Sequence, residues 1–499
     1  AMVSLVHGTV FGVTVGFGSA LIGEAVDYAI YYFVQAGHQG VDQWRRVFWP
    51  TIRLGVMTTA IGFGALLFSG FPGLAQLGLY ALSGVVTAAL VTRFVLPSLT
   101  GPGLRVPAHE VWVRRWMALL GRAHHLRWAM VGLAVVVAAY LWVQRDSLWS
   151  ANLSALSSVT ADEANADARM RSDLAAPDAR YLVTVSADSQ EAALQAAEKA
   201  GQRLDALVEQ GVIGGYDSPA RFLPSAQLQQ QRLASLPPAE VLRERLQRAL
   251  VDAPLSAARL EPFIADTEAA RAAGPMTRAD LDGSALALAV DSLLIHGKDG
   301  HWTVMLPLRP APGVPDAAIP AQPVEQALAG SGALFVDLKT EFEGLYSTYV
   351  DEAVELSLLG VLAIALLLAV SLRSVLRLAR VLFTLALAVG LVMVMLNLAG
   401  VRLHLLHLVG LLLIFAVGSN YALFLDHPGD GEPLDPATLL SMGVAVLTTV
   451  IGFGTLASSS VPVLQAVGIT VGPGALLALV LSAVLVYPKP AHPPSGAAP

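Results

Sequence analysis

Two stretches of this chain, roughly 390 residues apart, are copies of one another, and both lie in runs apolar enough to sit in lipid. The first reads GEAVDYAIYY from Gly23 and resumes at Met57 as MTTAIGFGALLFSGFPGLAQLG. The second reads AVGSNYALFL from Ala416 and resumes at Leu447 as LTTVIGFGTLASSSVPVLQAVG. Asp27 aligns with Asn420 at an offset of 393 and Thr58 with Thr448 at an offset of 390, so the second copy is three residues shorter between its two parts. A duplication of this kind predicts two equivalent helical bundles facing each other, with sites where the repeats meet. One copy carries an acid where the other carries an amide, and that asymmetry is the main clue to mechanism.

With 55% hydrophobic and only 14% charged residues among 499, the chain is too apolar for a soluble globule. Runs long enough to cross about 30 Å of hydrocarbon fall near residues 5–34, 54–69, 74–96, 128–144, 353–371, 379–399, 404–425, 440–458 and 463–487, so about nine transmembrane helices are expected. The absence of cysteine excludes disulfides, thiolate metal sites and a cysteine nucleophile. A net charge of −7 without a basic run argues against nucleic acid as a partner. No Walker A sequence, zinc-protease motif or nucleophile elbow is present, so the chain reads as a non-enzyme without a cofactor.

From Asp146 to Tyr349 the composition shifts toward Asp, Glu, Gln, Ala and Pro and reads as a water-soluble domain. Strand patterns are expected at 180–187, 286–295, 302–308 and 333–337, with a hairpin turn at Gly297-Lys298-Asp299-Gly300. Helical patterns cover 190–208, 238–251 and 318–329. This order fits a split βαβ sandwich with a helical insertion. Basic residues in short loops fix orientation. Arg45, Arg46 and Arg53, the set Arg93, Arg105, Arg114, Arg115, Arg122 and Arg127, and the set Arg373, Arg377 and Arg380 mark three cytoplasmic connections. Alternation then puts the large soluble domain outside, although the cytoplasmic loop Asp426 to Asp435 is acidic. The second copy is preceded by three spans and the soluble domain, whereas the first starts almost at residue 1, which reads as a chain cut just before the fourth of twelve helices; a natural short form starting at Met2 is the other reading.

Asp27 is the leading candidate for chemistry. A carboxylate at the centre of a spanning helix costs at least about 2.5 to 3.5 kcal/mol, so such groups face the bundle interior and mark proton or ion paths. Glu24 lies three residues earlier and Tyr31 four later, on the same helix face, with Tyr28 beside them. The blander reading places Asp27 near enough to the helix end to be hydrated. Asn420 and Tyr421 hold the matching places in the other repeat, where Asn420 can hydrogen-bond a carboxylate across the interface or simply pack. Thr58-Thr59 and Thr448-Thr449 each precede a Gly-Phe-Gly, giving Gly62, Gly64, Gly452 and Gly454 as a helix-packing motif whose threonines can also hold a water or relay a proton. His7, His404 and His407 lie toward the outer side, where a proton relay and an interfacial role are both open; His404 and His407 have ligand-like spacing but no third metal partner.

GEAVDYAIYY and GSNYALFL, each followed by TTxIGFG and a further helix, resemble the resistance-nodulation-division (RND) superfamily, and within it the MMPL-type exporters. The resemblance implies a polytopic α-helical membrane protein, part of a 6+6 pseudo-repeat, with one α+β periplasmic porter-like domain. Residues 1–97 would be the last three helices of the N-terminal bundle, 98–127 a basic cytoplasmic linker, and 128–145 the first helix of the C-terminal bundle. Residues 146–350 would form the periplasmic domain, 351–488 the remaining five helices, and 489–499 a disordered tail. It further implies a multi-pass protein of the bacterial inner membrane in which the proton-motive force drives export of lipids or other hydrophobic molecules, with a periplasmic carrier or a second copy as partner. A lipid-sensing or protein-translocation accessory of the same fold is the alternative. Family members often carry Asp-Tyr in both central helices; Asp27-Tyr28 matches and Asn420-Tyr421 departs, which throws the coupling role onto Asp27 with Glu24.

Overall fold

The computed structural model describes residues 2–100, 126–150, 159, 161–173, 180–251, 255–314, 318–426 and 436–486. Arg105, Arg114, Arg115 and Arg122 of the basic connection, the acidic run 427–435 and the tail 489–499 lie outside the described residues. The chain divides into two compact units, Ala1–Ser158 with Glu343–Pro499, and Val159–Phe342.

The first unit is helical because lipid leaves backbone amides and carbonyls no partner except each other. Its helices are α1 (Gly12–Gln39), α2 (Trp49–Leu66), α3 (Pro72–Leu90, running on through further turns to Thr100), α4 (Arg127–Val143), α5 (Leu338–Leu372), α6 (Val375–Leu398), α7 (Leu405–Leu425), α8 (Pro436–Ala457) and α9 (Pro462–Leu485). All but α2 and α4 are long and apolar enough to cross a membrane, seven among the described residues, which makes this a helical membrane protein. Helix α4 is apolar but has only 17 residues, while α2 carries Pro50, Arg53, Thr58 and Thr59. Helix α7 is apolar on every side and correspondingly sits at the centre, buried along nearly its whole length.

The repeat is visible in three dimensions: α1, α2 and α3 correspond to α7, α8 and α9. Helices α3 and α9 each start with proline at the first helical position, after an extended Phe71 or Val461. The central helices start at equivalent positions too, Gly12 and Leu405 being 393 residues apart. Packing is crossed between repeats, α1 lying against α8 and α7 against α2.

The continuous span expected over 5–34 is instead two pieces. A short helix, Met2–His7, ends at Gly8, whose φ of 72° breaks the spiral, and α1 runs from Gly12 five residues past the expected end. The buried Gln76 of α3 holds the break, accepting from the Phe11 N–H (3.0 Å) and donating to the Thr9 carbonyl (2.9 Å). His7, Gly8 and Thr9 are too few to lower the hydropathy of so long an apolar run, so hydropathy alone does not register the gap.

In the second unit, strands β1 (Tyr181–Ala187), β2 (Ile213–Tyr216), β3 (Leu294–His296), β4 (Trp302–Pro310) and β5 (Leu334–Asp337) form an antiparallel sheet ordered β2-β4-β1-β5, with β3 also on β4. Helix Gln190–Glu209 links β1 to β2 and helix Ala321–Leu328 links β4 to β5. Tyr181, Val183 and Val185 alternate into a core with Ala193, Leu194, Ala197 and Leu204 of the first of these helices. The strand expected over 286–295 is mostly helix, Ala285–Leu293, because alternating Ala and Leu are strong helix formers and Ser284 caps the N-terminus. Strand β2 escapes its sequence pattern through Gly214 and Gly215. The hairpin turn closes where expected, Gly297 N–H donating to the His301 carbonyl at 2.8 Å.

Candidate functional site

The crossed packing brings Asp27 of α1 against the paired threonines of α8. Asp27 is 4% exposed despite its charge; Oδ1 accepts from the Thr448 hydroxyl at 3.0 Å and Oδ2 from Thr449 at 3.4 Å. The side chain is thus buried against protein hydroxyls. Thr448 Oγ1 also lies 2.7 Å from the Ala445 carbonyl. A hydroxyl has one hydrogen, so it can point to the carboxylate or to the carbonyl but not both.

Asn420 makes no hydrogen bond to Asp27 among the described residues. It sits directly over Gly55 of α2, where any side chain would collide with its amide, and its Oδ1 has no hydrogen-bond partner. The hydrogen bond in that seam belongs to its neighbour: Ser419 and Thr58 hydroxyls meet at 2.9 Å, with Thr58 also 2.8 Å from the Gly55 carbonyl and Ser419 2.6 Å from that of Ala416. The two seams thus use equivalent threonines differently. In one, threonine faces a carboxylate; in the other, a serine.

Around Asp27 the structure gathers Glu24, Tyr28, Tyr31, Thr59 and Tyr421, all buried. Both Glu24 carboxylate oxygens, the three tyrosine hydroxyls and Thr59 Oγ1 have no hydrogen-bond partner. Thr59 approaches Glu24 and Tyr28, as its repeat mate Thr449 approaches Asp27 and Tyr421. Tyr31 packs its ring on Phe424 at 4.7 Å. These two residues are equivalent in the repeat, so their contact lies on its pseudo-two-fold axis. These unpaired polar groups lie together in one buried place.

The glycines of the GFG motif play unequal parts. Gly62 lies 3.4 Å, measured from an added Cβ, from the Ala416 methyl, whereas Gly64 and Gly454 face open space and Gly452 is half-buried. The closest approaches to the backbone of a neighbouring helix are made by Gly78 of α3 and Gly468 of α9, at the end of each copy: a methyl at Gly78 would meet the Phe63 carbonyl at 2.7 Å, and one at Gly468 the equivalent Phe453 carbonyl at 2.6 Å. The repeated LAQLG and LQAVG carry that signal in the sequence.

His404 and His407 cap α7. His407 Nδ1 accepts from the His404 backbone N–H at 3.2 Å and His404 Nδ1 from Leu406 N–H at 3.4 Å, with the rings 4.0 Å apart. Thirteen helical residues, about 20 Å, separate His407 from the level of Asn420. His7 ends the short N-terminal helix. No cluster of three metal-ligating side chains occurs among the described residues. No protein-family model matches the sequence, and no curated protein matches it.

Proposed function

We propose that this chain works as a proton-coupled exporter of the RND superfamily, of MMPL type, crossing the bacterial inner membrane with nine helices and carrying its soluble unit in the periplasm. Its cargo would be lipids or other hydrophobic molecules. The observation that carries the reading is Asp27, a carboxylate inside a candidate spanning helix, held by hydroxyls from the other repeat.

The geometry supplies a way for one proton to alter helix packing. With Asp27 ionised, Thr448 donates to Oδ1 and ties α1 to α8 by a charge-assisted bond. With Asp27 protonated, the acid donates to Thr448, whose own hydrogen turns to the Ala445 carbonyl, and Thr449 faces a neutral partner. A hydrogen bond to a charged group contributes about 1.5 to 3 kcal/mol, and one charge crossing 100 mV releases about 2.3 kcal/mol. The two are well matched, so a single proton is enough to bias the seam between packings. Asn420, which cannot titrate, leaves the other seam constant through the cycle.

The test is Asp27→Asn in the full-length protein, with cargo retention in cells as readout. Retention should rise toward that of cells lacking the transporter; undiminished export refutes a coupling role for Asp27. An uncoupler separates this function from that of a lipid sensor or translocation accessory, whose binding would not respond.

A further inference from the structure

Residues 41–53, which lead into α2, and 91–100, which continue α3, carry four arginines, Arg45, Arg46, Arg53 and Arg93, against one acid, Asp42. Among the described residues none of these four side chains makes a hydrogen bond or an ion pair. Two π-helical turns present three of them: Trp44–Phe48 carries Arg45 and Arg46, and Val91–Val95 carries Arg93. Such turns are rare in helices and concentrate at functional sites. The half-buried Arg93 guanidinium lies over the Trp49 ring at 5.3 Å and 6.0 Å from that of Phe94, close enough to Arg45 for the two cations to repel. Stacking occupies the face of a guanidinium and leaves its in-plane N–H donors for an anion. Beside Trp49, 5.7 Å away, the Trp44 indole is fully buried, and its N–H has no partner among the described residues.

The second copy builds the same helices without this arrangement. At the offset of 390, Pro436, Leu439, Gly443 and Ala483 stand where the first copy has Arg46, Trp49, Arg53 and Arg93. The stretch 481–485, equivalent to the π-helical turn Val91–Val95, is ordinary α-helix. Packing of the repeat therefore calls for neither the arginines nor the turn. Orientation in the membrane calls for basic residues in a loop, but not for a half-buried cation stacked on a ring. The surface beside Arg93 is apolar, with Phe94 67% exposed and Leu90, Val91 and Val95 exposed as well. Two arginines without an acid, set at the end of an apolar exposed helix, match the phosphate of a lipid headgroup whose chains lie along those apolar residues.

We propose that Arg45 and Arg93 hold the headgroup phosphate of an anionic glycerophospholipid from the leaflet on their side of the membrane, with Trp49 fixing the Arg93 guanidinium and Phe94 and Val95 bedding an acyl chain. The site is separate from Asp27 and needs only a chain that spans a membrane, so it stands or falls independently of proton coupling. Binding is non-covalent. The phosphate oxygens accept N–H donors from both arginines, which offsets the repulsion between them and ties the turn before α2 to the continuation of α3. A zwitterionic headgroup brings its own cation beside the phosphate, and the arginine cluster opposes it.

The test titrates the full-length, detergent-solubilised protein with phosphatidylglycerol or with phosphatidylcholine of the same chains, counts bound lipid by native mass spectrometry, and uses glycerol phosphate as the arm without chains. Each arginine near a membrane surface strengthens binding of an anionic lipid about fivefold, so phosphatidylglycerol should bind at least about tenfold more tightly than phosphatidylcholine. Arg45→Gln and Arg93→Gln should each weaken phosphatidylglycerol about fivefold, and the two together about 25-fold, with phosphatidylcholine unchanged. Arg373→Gln, at an exposed arginine between α5 and α6, should leave both lipids unchanged. Arg45 is exposed, so Arg45→Gln keeps the test decisive if the Arg93 variant misfolds. Equal binding of the two lipids, or losses from Arg373→Gln as large as those from Arg45→Gln, overturns the site. Glycerol phosphate binding as tightly as phosphatidylglycerol makes this a site for a soluble anion and overturns the lipid assignment.

Discussion

Replacing Gly468 by alanine should weaken the protein, while the same change at Gly454, fourteen residues earlier in the duplicated motif, should strengthen it. A methyl at position 468 would lie 2.6 Å from the Phe453 carbonyl oxygen and 2.7 Å from the Leu456 carbonyl carbon, and nearer still to the Ala457 amide nitrogen. All three are backbone atoms, so no rotamer change relieves the clash. Favourable contact lies near 3.5 to 4.0 Å, and α9 must therefore retreat from α8 by about an ångström, which forfeits part of the dispersion along the whole contact. Overpacking of this kind costs about 1 to 3 kcal/mol or more, against about 1 kcal/mol gained because alanine is the better helix former. The net expectation for Gly468→Ala is a loss of up to about 2 kcal/mol. At Gly454 an added methyl meets nothing within 4 Å, so only the helix-propensity gain of about 0.5 to 1 kcal/mol remains. Gly78→Ala, with the Phe63 carbonyl at 2.7 Å but its other neighbours at 3.1 Å, should fall between. The assay is a thermal ramp on the detergent-solubilised full-length protein, following the fraction that remains monodisperse. Gly468→Ala at or above wild type would refute the argument that backbone approach at this glycine sets the α8–α9 distance.

Two further outcomes follow from polar contacts at helix starts. Asp337 takes a paired contact from Arg180 at 3.1 and 3.2 Å and the Thr340 hydroxyl at 2.9 Å; burial works against its charge, but these bonds outweigh it and hold the carboxyl below its usual pKa. Its stabilisation is thus complete above the ordinary carboxylate value near 4 and disappears as pH falls through the lower folded value, so Asp337→Asn should lose about 1 to 2 kcal/mol at neutral pH and nothing in strong acid. Amide exchange in β1 and β5 across that pH range checks it, and a pH-independent difference would contradict it. Gln76→Leu should release the break before α1 at a cost of about 1 to 3 kcal/mol, seen as faster amide exchange over residues 9–14; unchanged exchange there would show that Gln76 is not what holds it.

The repeat made the helical equivalences and the site's membership readable from the sequence, because a duplicated motif marks which positions correspond. It did not say which positions touch. Asn420 aligned with Asp27, which left a bond to the carboxylate and simple packing both open; crossed packing puts α1 against α8 and gives the carboxylate to Thr448 and Thr449, while Asn420 goes to Gly55. Gly64 stood out by repetition of GFG, yet close approach depends on which face a glycine presents, and Gly78 presents the closer one. The break before α1 hides within a long apolar run, and what holds it is a glutamine 65 positions from Phe11. The helix Ala285–Leu293 was misread because alternating Ala and Leu satisfy a period of two as well as helix propensity.

The hydrogen bond between Thr448 and Asp27 spans 421 positions of sequence. Ribosomes add about 5 to 20 residues per second, so Asp27 is made some 20 to 80 seconds before the hydroxyl that will hold it. During that interval its helix has an acid and no second repeat to shelter it. The helix must linger beside water or the insertion machinery until α8 arrives, which makes the synthesis of α8 the step that commits this site to the bilayer.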